Sequence, residues 1–383
     1  MDFAISQELR MMRETVRGFV GTHLAPLERS VDEEDHLAPE TMARLRAEAV
    51  KLGLYGYNMP KELGGPGLSA FAKALVAEEL GHTTMALAEM LGHLPSTLVF
   101  CNAEQTRWLM PALMDGSKTI TYALTEPDAG SDLNALRTRA RKVDGGWLLQ
   151  GRKQFVSNVE TADYVIVLAV TRPQGRLKDK LTTFLVERRN PGLQDLTRFK
   201  KLGWRGYQLN GFALEDCFVP DGHVLGEVGG GFLAMMTSIN HDRLNIACRC
   251  VGLAERAHAL SRAYAKERST FGAKLAEHQA IQFMIADTDT EIHAARALAH
   301  RAAHLADAED PEFRIAASRA KLFASEMVGR AVDRALQIFG GAGYMCDLPL
   351  ERFYRDARAY RLGEGTSEIQ RIQIARHALS EQS

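Results

Sequence analysis

The chain has few of the features that mark a metalloprotein, a disulfide scaffold, a membrane span or a nucleic-acid binder. Its five cysteines (Cys101, Cys217, Cys248, Cys250, Cys346) are dispersed and odd in number, which argues against a disulfide framework. Cys248-Arg-Cys250 has no second pair at zinc spacing, and the histidines show no metal-ligand spacing, so no metal is expected. No apolar segment approaches membrane-spanning length. The opening Met1-Asp-Phe-Ala-Ile-Ser6 carries neither a basic n-region nor a long apolar run, and the expectation is a reducing, cytoplasmic setting. Charge of one sign is missing too. Lys and Arg number 47 against 48 Asp and Glu, so no electropositive face for nucleic acid is expected. A local basic patch for a phosphorylated ligand stays open. Gly-x-Gly-x-x-Gly after a strand, a Walker sequence and a Gly-x-Ser-x-Gly elbow are all absent, which counts against Rossmann, P-loop and serine-hydrolase chemistry.

What the chain does have is apolar material: 46% of 383 residues, enough for two or three packed domains. From 1 to 118 the pattern is helical, with Leu9, Met12, Val16 and Val20 recurring at helical steps, as do Met42, Leu45 and Ala49. Ser69 opens a further helix after the break at Gly64-Gly-Pro-Gly67. Over 119–228 the character changes. Trp147–Gly151, Tyr164–Val170 and Leu181–Val186 are β-rich runs, Val143-Asp-Gly-Gly-Trp147 reads as a hairpin turn, and Arg172–Lys180 as a polar loop. This predicts a middle antiparallel β-barrel or sandwich domain. From 229 to 383 the chain is helical again, over roughly 231–266, 277–305, 312–339 and 367–379, a C-terminal four-helix bundle. The fold class is α+β, mainly α.

The most informative stretch is Leu362-Gly-Glu-Gly-Thr-Ser-Glu-Ile-Gln370. It sets Glu364 between two glycines on a turn ahead of a helix, where Gly363 and Gly365 allow a sharp bend and close approach of a flat ring or thioester. Thr366 or Ser367 supplies the N-cap oxygen. A carboxylate so placed can be tuned upward and act as a base on carbon; a capped surface helix is the competing reading. Tyr122-Ala-Leu-Thr-Glu-Pro-Asp-Ala-Gly-Ser-Asp132 ends in a polar turn whose amides and Thr125 and Ser131 hydroxyls suit a ring edge or pyrophosphate, or simply decorate a loop. In Lys153-Gln-Phe-Val-Ser-Asn158, Phe155 and Ser157 are two apart and share a strand face, an aromatic wall beside a hydroxyl. Gln337–Gly343 ends a helix, its glycines C-caps before they are a phosphate cradle. Arg268-Ser-Thr-Phe-Gly272 with His278-Gln279 offers a cation and a polar pair, or a solvated helix end.

Taken together, five segments in order (Tyr122–Asp132, Phe155–Asn158, Arg268–Gln279, Gln337–Gly343, Gly363–Arg371) resemble the acyl-CoA dehydrogenase family, almost end to end. The resemblance implies the acyl-CoA dehydrogenase fold, FAD held between domains, an acyl-CoA substrate, an electron-transferring flavoprotein as acceptor, and a homotetramer that is a dimer of dimers. It makes Glu364 the base that takes the α-proton of the thioester, with the β-hydrogen leaving as hydride to flavin N5. It places Tyr122, Leu124, Thr125, Gly130 and Ser131 along the flavin and pyrophosphate, with Ser131 also near the thioester. Phe155 becomes the flavin's wall and Ser157 a hydroxyl at the ring edge. Arg268, Phe271, Gln279, Gln337, Gly340 and Gly341 would reach a neighbouring subunit's FAD. Thr366 and Glu368 would touch pyrophosphate and adenosine, while Asn240, Arg243, Gly365 and Arg376 fall on the substrate side.

Departures from the family pattern matter. Phe155 takes the place of a common tryptophan, Asn240 stands where many members carry aspartate, and Tyr207 and Leu209 replace hydroxyl residues. Asp242 falls where the isovaleryl type carries its base. The stretch between Glu79 and Pro95 is shorter than in straight-chain enzymes, so chain-length specificity cannot be carried over. Competing functions are an oxygen-reactive oxidase relative and a flavin-free acyl-CoA binding protein.

Overall fold

The computed structural model describes residues 5–380; the first four and last three residues of the outer expected domains lie outside the described residues. The N-terminal part holds α1 (Gln7–Phe19), α2 (Glu28–Glu34), α3 (Pro39–Lys51), α4 (Ala70–Leu80), α5 (Met85–Ala88) and α6 (Ala103–Met114). Their starts follow capping chemistry: the Ser69 hydroxyl accepts the Ala72 N–H at 3.1 Å, and Asn102 and Gln105 form a capping box. The helical spacing buries Val16, Val20, Leu45 and Ala49 in one cluster. α4 is buried on nearly every face because α1 and two long helices of the C-terminal part surround it.

The middle part carries β1 (Ile120–Ala123), β2 (Arg139–Val143), β3 (Gly146–Ser157), β4 (Tyr164–Val170), β5 (Leu181–Glu187), β6 (Leu193–Arg198), β7 (Leu209–Pro220) and β8 (Val224–Leu225). They form one hydrogen-bonded path, β6-β7-β3-β2-β4-β5-β8, with β1 beside β4. Most pairings are antiparallel, as expected; β1 and β2 add two parallel contacts to β4. The β2–β3 hairpin turns at Asp144-Gly145, where Gly145 has φ +70°. β4 and β5 are buried along almost their whole length, not alternately, because both faces are covered. Val165, Val167 and Phe184 face the sheet's own core, and Ile166 and Leu185 meet Leu94, Leu98 and Leu109 of the N-terminal part. The expected loop at Arg172–Lys180 contains one helical turn, α7 (Leu177–Lys180).

The C-terminal part consists of α8 (Gly231–Glu267), α9 (Gln279–Asp307), α10 (Phe313–Phe339) and α12 (Ser367–Ser380), plus α11 (Leu350–Ala359), which the four-helix reading passed over. Alanines such as Ala254, Ala257, Ala299 and Ala320 fill the bundle core, so the helices approach closely. Gly81 and Gly252 let α4 and α8 cross with backbones touching: a Cβ on Gly252 would collide with the Glu78 carbonyl. α11 ties the parts together. Asp356 accepts the Trp204 N–H at 2.5 Å, and Arg355 pairs with Asp32 at 2.7 Å. No helix among the described residues is long and apolar enough to cross a membrane.

Candidate active site

A cavity of about 850 Å³ opens where the three parts meet. Glu364 lies on its wall in the turn between α11 and α12, and the bend sits on Glu364 itself (φ +52°) and Gly365 (φ +85°), while Gly363 keeps an ordinary φ. The turn is pinned through its carbonyls. The Glu364 oxygen accepts from Arg243 Nε and Gln370 Nε2, both at 3.2 Å, and the Gly365 oxygen from Lys321 Nζ at 2.7 Å. Thr366 Oγ1 accepts the Ile369 N–H at 3.3 Å, so Thr366 is the N-cap of α12. No described residue accepts from the Glu364 N–H. Burial raises the Glu364 carboxyl above the usual carboxylate range, and the Arg243 and Lys321 charges oppose that rise.

The flavin-side wall comes from two stretches joined by a buried ion pair. Lys153 Nζ lies 2.8 Å from Glu126 Oε1, and both side chains are nearly solvent-free. Lys153 also donates to the Leu124 carbonyl at 2.9 Å, and Glu126 accepts the N–H groups of Arg137 and Thr138. The pair thus locks Leu124 and Thr125 against β3. Burial brings the Lys153 ammonium down to about 8, whereas its partner Glu126 is held below its ordinary range because cation and amides outweigh desolvation. β3 bulges beside it: Gln154 and Phe155 together oppose Gly211, and Phe155 adopts φ +55°. Phe155 is 53% exposed and shares the cavity with Ser157, but across the bulge Gln154, Val156 and Asn158 line it too, so simple strand alternation does not account for the pair. Tyr122, Leu124, Thr125, Gly130, Ser131, Gly365 and Thr366 line the same cavity.

A second carboxylate enters as well. Asp242 lines the cavity, hydrogen-bonded to Ser238 at 3.0 Å, and burial together with the Glu364 charge raises it well above its ordinary range. His93 stands 3.8 Å away but is held neutral by burial, down at about 3, so the contact is no ion pair. Two of the expected substrate-side residues turn inward. Arg243 is buried and bonds Asn240, Ser318 and the Glu364 carbonyl; neither it nor Asn240 lines the cavity, and their visible work is holding the turn. Arg376 and Glu368 are exposed on α12. Arg268, Phe271 (97% exposed), Gln279, Gln337, Gly340 and Gly341 lie at the ends of α8, α9 and α10, on the surface and outside the cavity. Sequence reasoning missed Glu126, Lys321, Glu89 and Arg249 as site residues. Lys321, a cation at helical spacing from Ala317 and Ala324, was the readable signal.

The cavity suits a flavin. Its volume is that of a large ligand site, Phe155 offers an aromatic face, and the Tyr122 hydroxyl is buried there without a partner. Fold and site together define a flavoprotein oxidoreductase. The profiles of the acyl-CoA dehydrogenase N-terminal, middle and C-terminal domains match residues 6–117, 121–217 and 229–379. The chain is 38% identical to a probable acyl-CoA dehydrogenase of Bacillus subtilis (strain 168), over 99% of this chain and 100% of that one. It is also 38% identical to the human mitochondrial short-chain specific acyl-CoA dehydrogenase, over 97% and 90%. Butyryl-CoA dehydrogenase from Megasphaera elsdenii superposes with a TM-score of 0.92 at 31% identity, covering 99% and 100%. A Bacillus anthracis acyl-CoA dehydrogenase complexed with FAD gives 0.90 at 30%, covering 98% and 67%. A chain from work on the electron transferring flavoprotein of Acidaminococcus fermentans gives 0.92 at 31%, covering 99% and 100%. The protein belongs to the acyl-CoA dehydrogenase family: it is an oxidoreductase acting on CH–CH groups, and its cofactor is FAD.

Proposed function

We propose that the protein dehydrogenates an acyl-CoA thioester between its α and β carbons, with Glu364 as the base. The observation that carries this is an upward-tuned carboxylate on a pinned turn, in a cavity that also presents Phe155 and Ser157. Glu364 takes the α-proton on its carboxylate oxygen. Its own N–H, which no described residue engages, is available to the thioester oxygen, where charge develops as the α-carbon loses its proton. FAD, when bound, would supply the acceptor for the β-hydride. Desolvation by the acyl chain favours the protonated acid once it has formed. Asp242, raised by burial and by the Glu364 charge, is one methylene shorter and is the less favoured base.

Tyr122, Leu124, Thr125, Gly130, Ser131, Phe155 and Ser157 would hold the flavin, with Thr366 and Glu368 toward the pyrophosphate and adenosine. The two exposed clusters led by Arg268 and Gln337 fit contact with a neighbouring subunit's cofactor, which supports a homotetramer built as a dimer of dimers. An electron-transferring flavoprotein is the proposed acceptor, on the strength of the Acidaminococcus likeness. The division into 1–118, 119–228 and 229–383 follows the same reading. Anaerobic addition of acyl-CoAs to the purified holoenzyme should bleach the flavin band. Glu364→Gln should keep the yellow cofactor and lose at least about a hundredfold in rate, while Asp242→Asn keeps most activity. The reverse ranking would move the base to Asp242.

A further inference from the structure

The acyl side of the cavity is lined by a polar stripe that proton abstraction does not use. Ser238, Asp242, Asn245 and Arg249 recur at helical spacing along one face of α8, and all four line the cavity. Arg249 is 2% exposed. Its Nη2 meets Glu89 Oε1 at 2.8 Å and its Nη1 the Met85 sulfur at 2.8 Å, but its Nε–H is buried with no acceptor. Asp242 Oδ1 is likewise buried without a partner. Seven residues of helix separate Asp242 from Arg249, roughly 10 Å along the axis. Tyr207, Glu89, Arg249 and Glu364 all line the cavity, so the ion pair and the base share one chamber.

A plain hydrocarbon tail would cover these groups and leave the Arg249 N–H unsatisfied, an unfavourable burial. A carboxylate tail would bring a further anion beside Glu89, with Arg249 already committed to Glu89. A neutral oxygen avoids both. Resting on the dehydrogenase reading above, we propose that the substrate is an acyl thioester bearing a neutral hydrogen-bond acceptor on its tail, a hydroxyl or carbonyl oxygen, received by Arg249 Nε–H with Glu89 as the counterion. Asn245, whose Nδ2 donates to the Tyr57 hydroxyl at 2.8 Å, and Asp242 flank the path. The selectivity then sits in the N-terminal part and α8, apart from the flavin wall.

The test uses the FAD-loaded enzyme with butanoyl-, hexanoyl- and octanoyl-CoA and with their ω-hydroxy and ω-carboxy counterparts, following anaerobic bleaching and kcat/KM. At one chain length the ω-hydroxy compound should exceed its unsubstituted partner by at least about tenfold. The Glu89→Gln/Arg249→Met double variant, with bound-flavin absorbance as the check on folding, should lose that preference. Equal or better use of the unsubstituted chain at every length overturns the proposal and leaves the dehydrogenase reading standing, as does a preference for the ω-carboxy series. Absence of bleaching with any thioester overturns both.

Discussion

Two buried ion pairs serve this site, one behind its lining and one in it, and they are built differently. Lys153–Glu126, behind the flavin wall, is closed: each partner is engaged by the other and by backbone carbonyls or amides. Glu89–Arg249, at the acyl end, is open: Glu89 keeps 20% of its side chain exposed, and Arg249 holds an unengaged N–H. A closed pair suits a part that must position loops and never change partners. Incompleteness suits a part that finishes its bonding only when a ligand arrives. Rigidity and recognition are thus divided between the two pairs.

Substitutions can break this contrast in a graded way. The largest effect should come from Lys153→Met, which strands Glu126 in a solvent-free site; a loss of about 3–5 kcal/mol in urea unfolding is expected, together with weaker FAD retention. A loss below about 1 kcal/mol would mean the closed pair is not structural. Arg249→Met should cost less, because water reaches Glu89; an equal or larger loss would erase the distinction drawn here. Lys321→Gln probes the turn that carries Glu364. The amide can still donate to the Gly365 carbonyl, but a positive charge that holds Glu364 down is gone. The acid limb of kcat/KM should therefore move to higher pH, by less than about one unit; a downward move would contradict the assignment of that limb to Glu364. Smallest of all, Thr366→Ala should remove the α12 cap and lower stability by about 1 kcal/mol, read from the thermal midpoint.

Much of the architecture was legible because it follows periodicity and punctuation. Ser69, Thr366 and the Asp144-Gly145 turn do what their residue types dictate. α11 escaped notice because Leu350–Ala359 is short and charged, and its arginines and acids become comprehensible only against Asp32 and Trp204, distant in sequence. The site divided along the same line. Glu364 and Phe155 announce themselves through local sequence. Glu126, Lys153 and Arg249 acquire meaning through partners 27 or 160 positions away, which no local pattern encodes. Arg243, expected on the substrate side, donates to the backbone of the turn, a bond to a position 121 residues away.

The backbone of Glu364 carries a last consequence. A left-handed conformation at a residue with a Cβ is costly by roughly 1–2 kcal/mol, and burial of its acid adds a penalty that grows as pH climbs from the unfolded carboxyl's range through the elevated folded one. Glycine at 364 would relieve both burdens, so a dead enzyme should melt later than the living one. Durability and turnover pull this single position in opposite directions, and screening variants for heat resistance alone would select against the reaction.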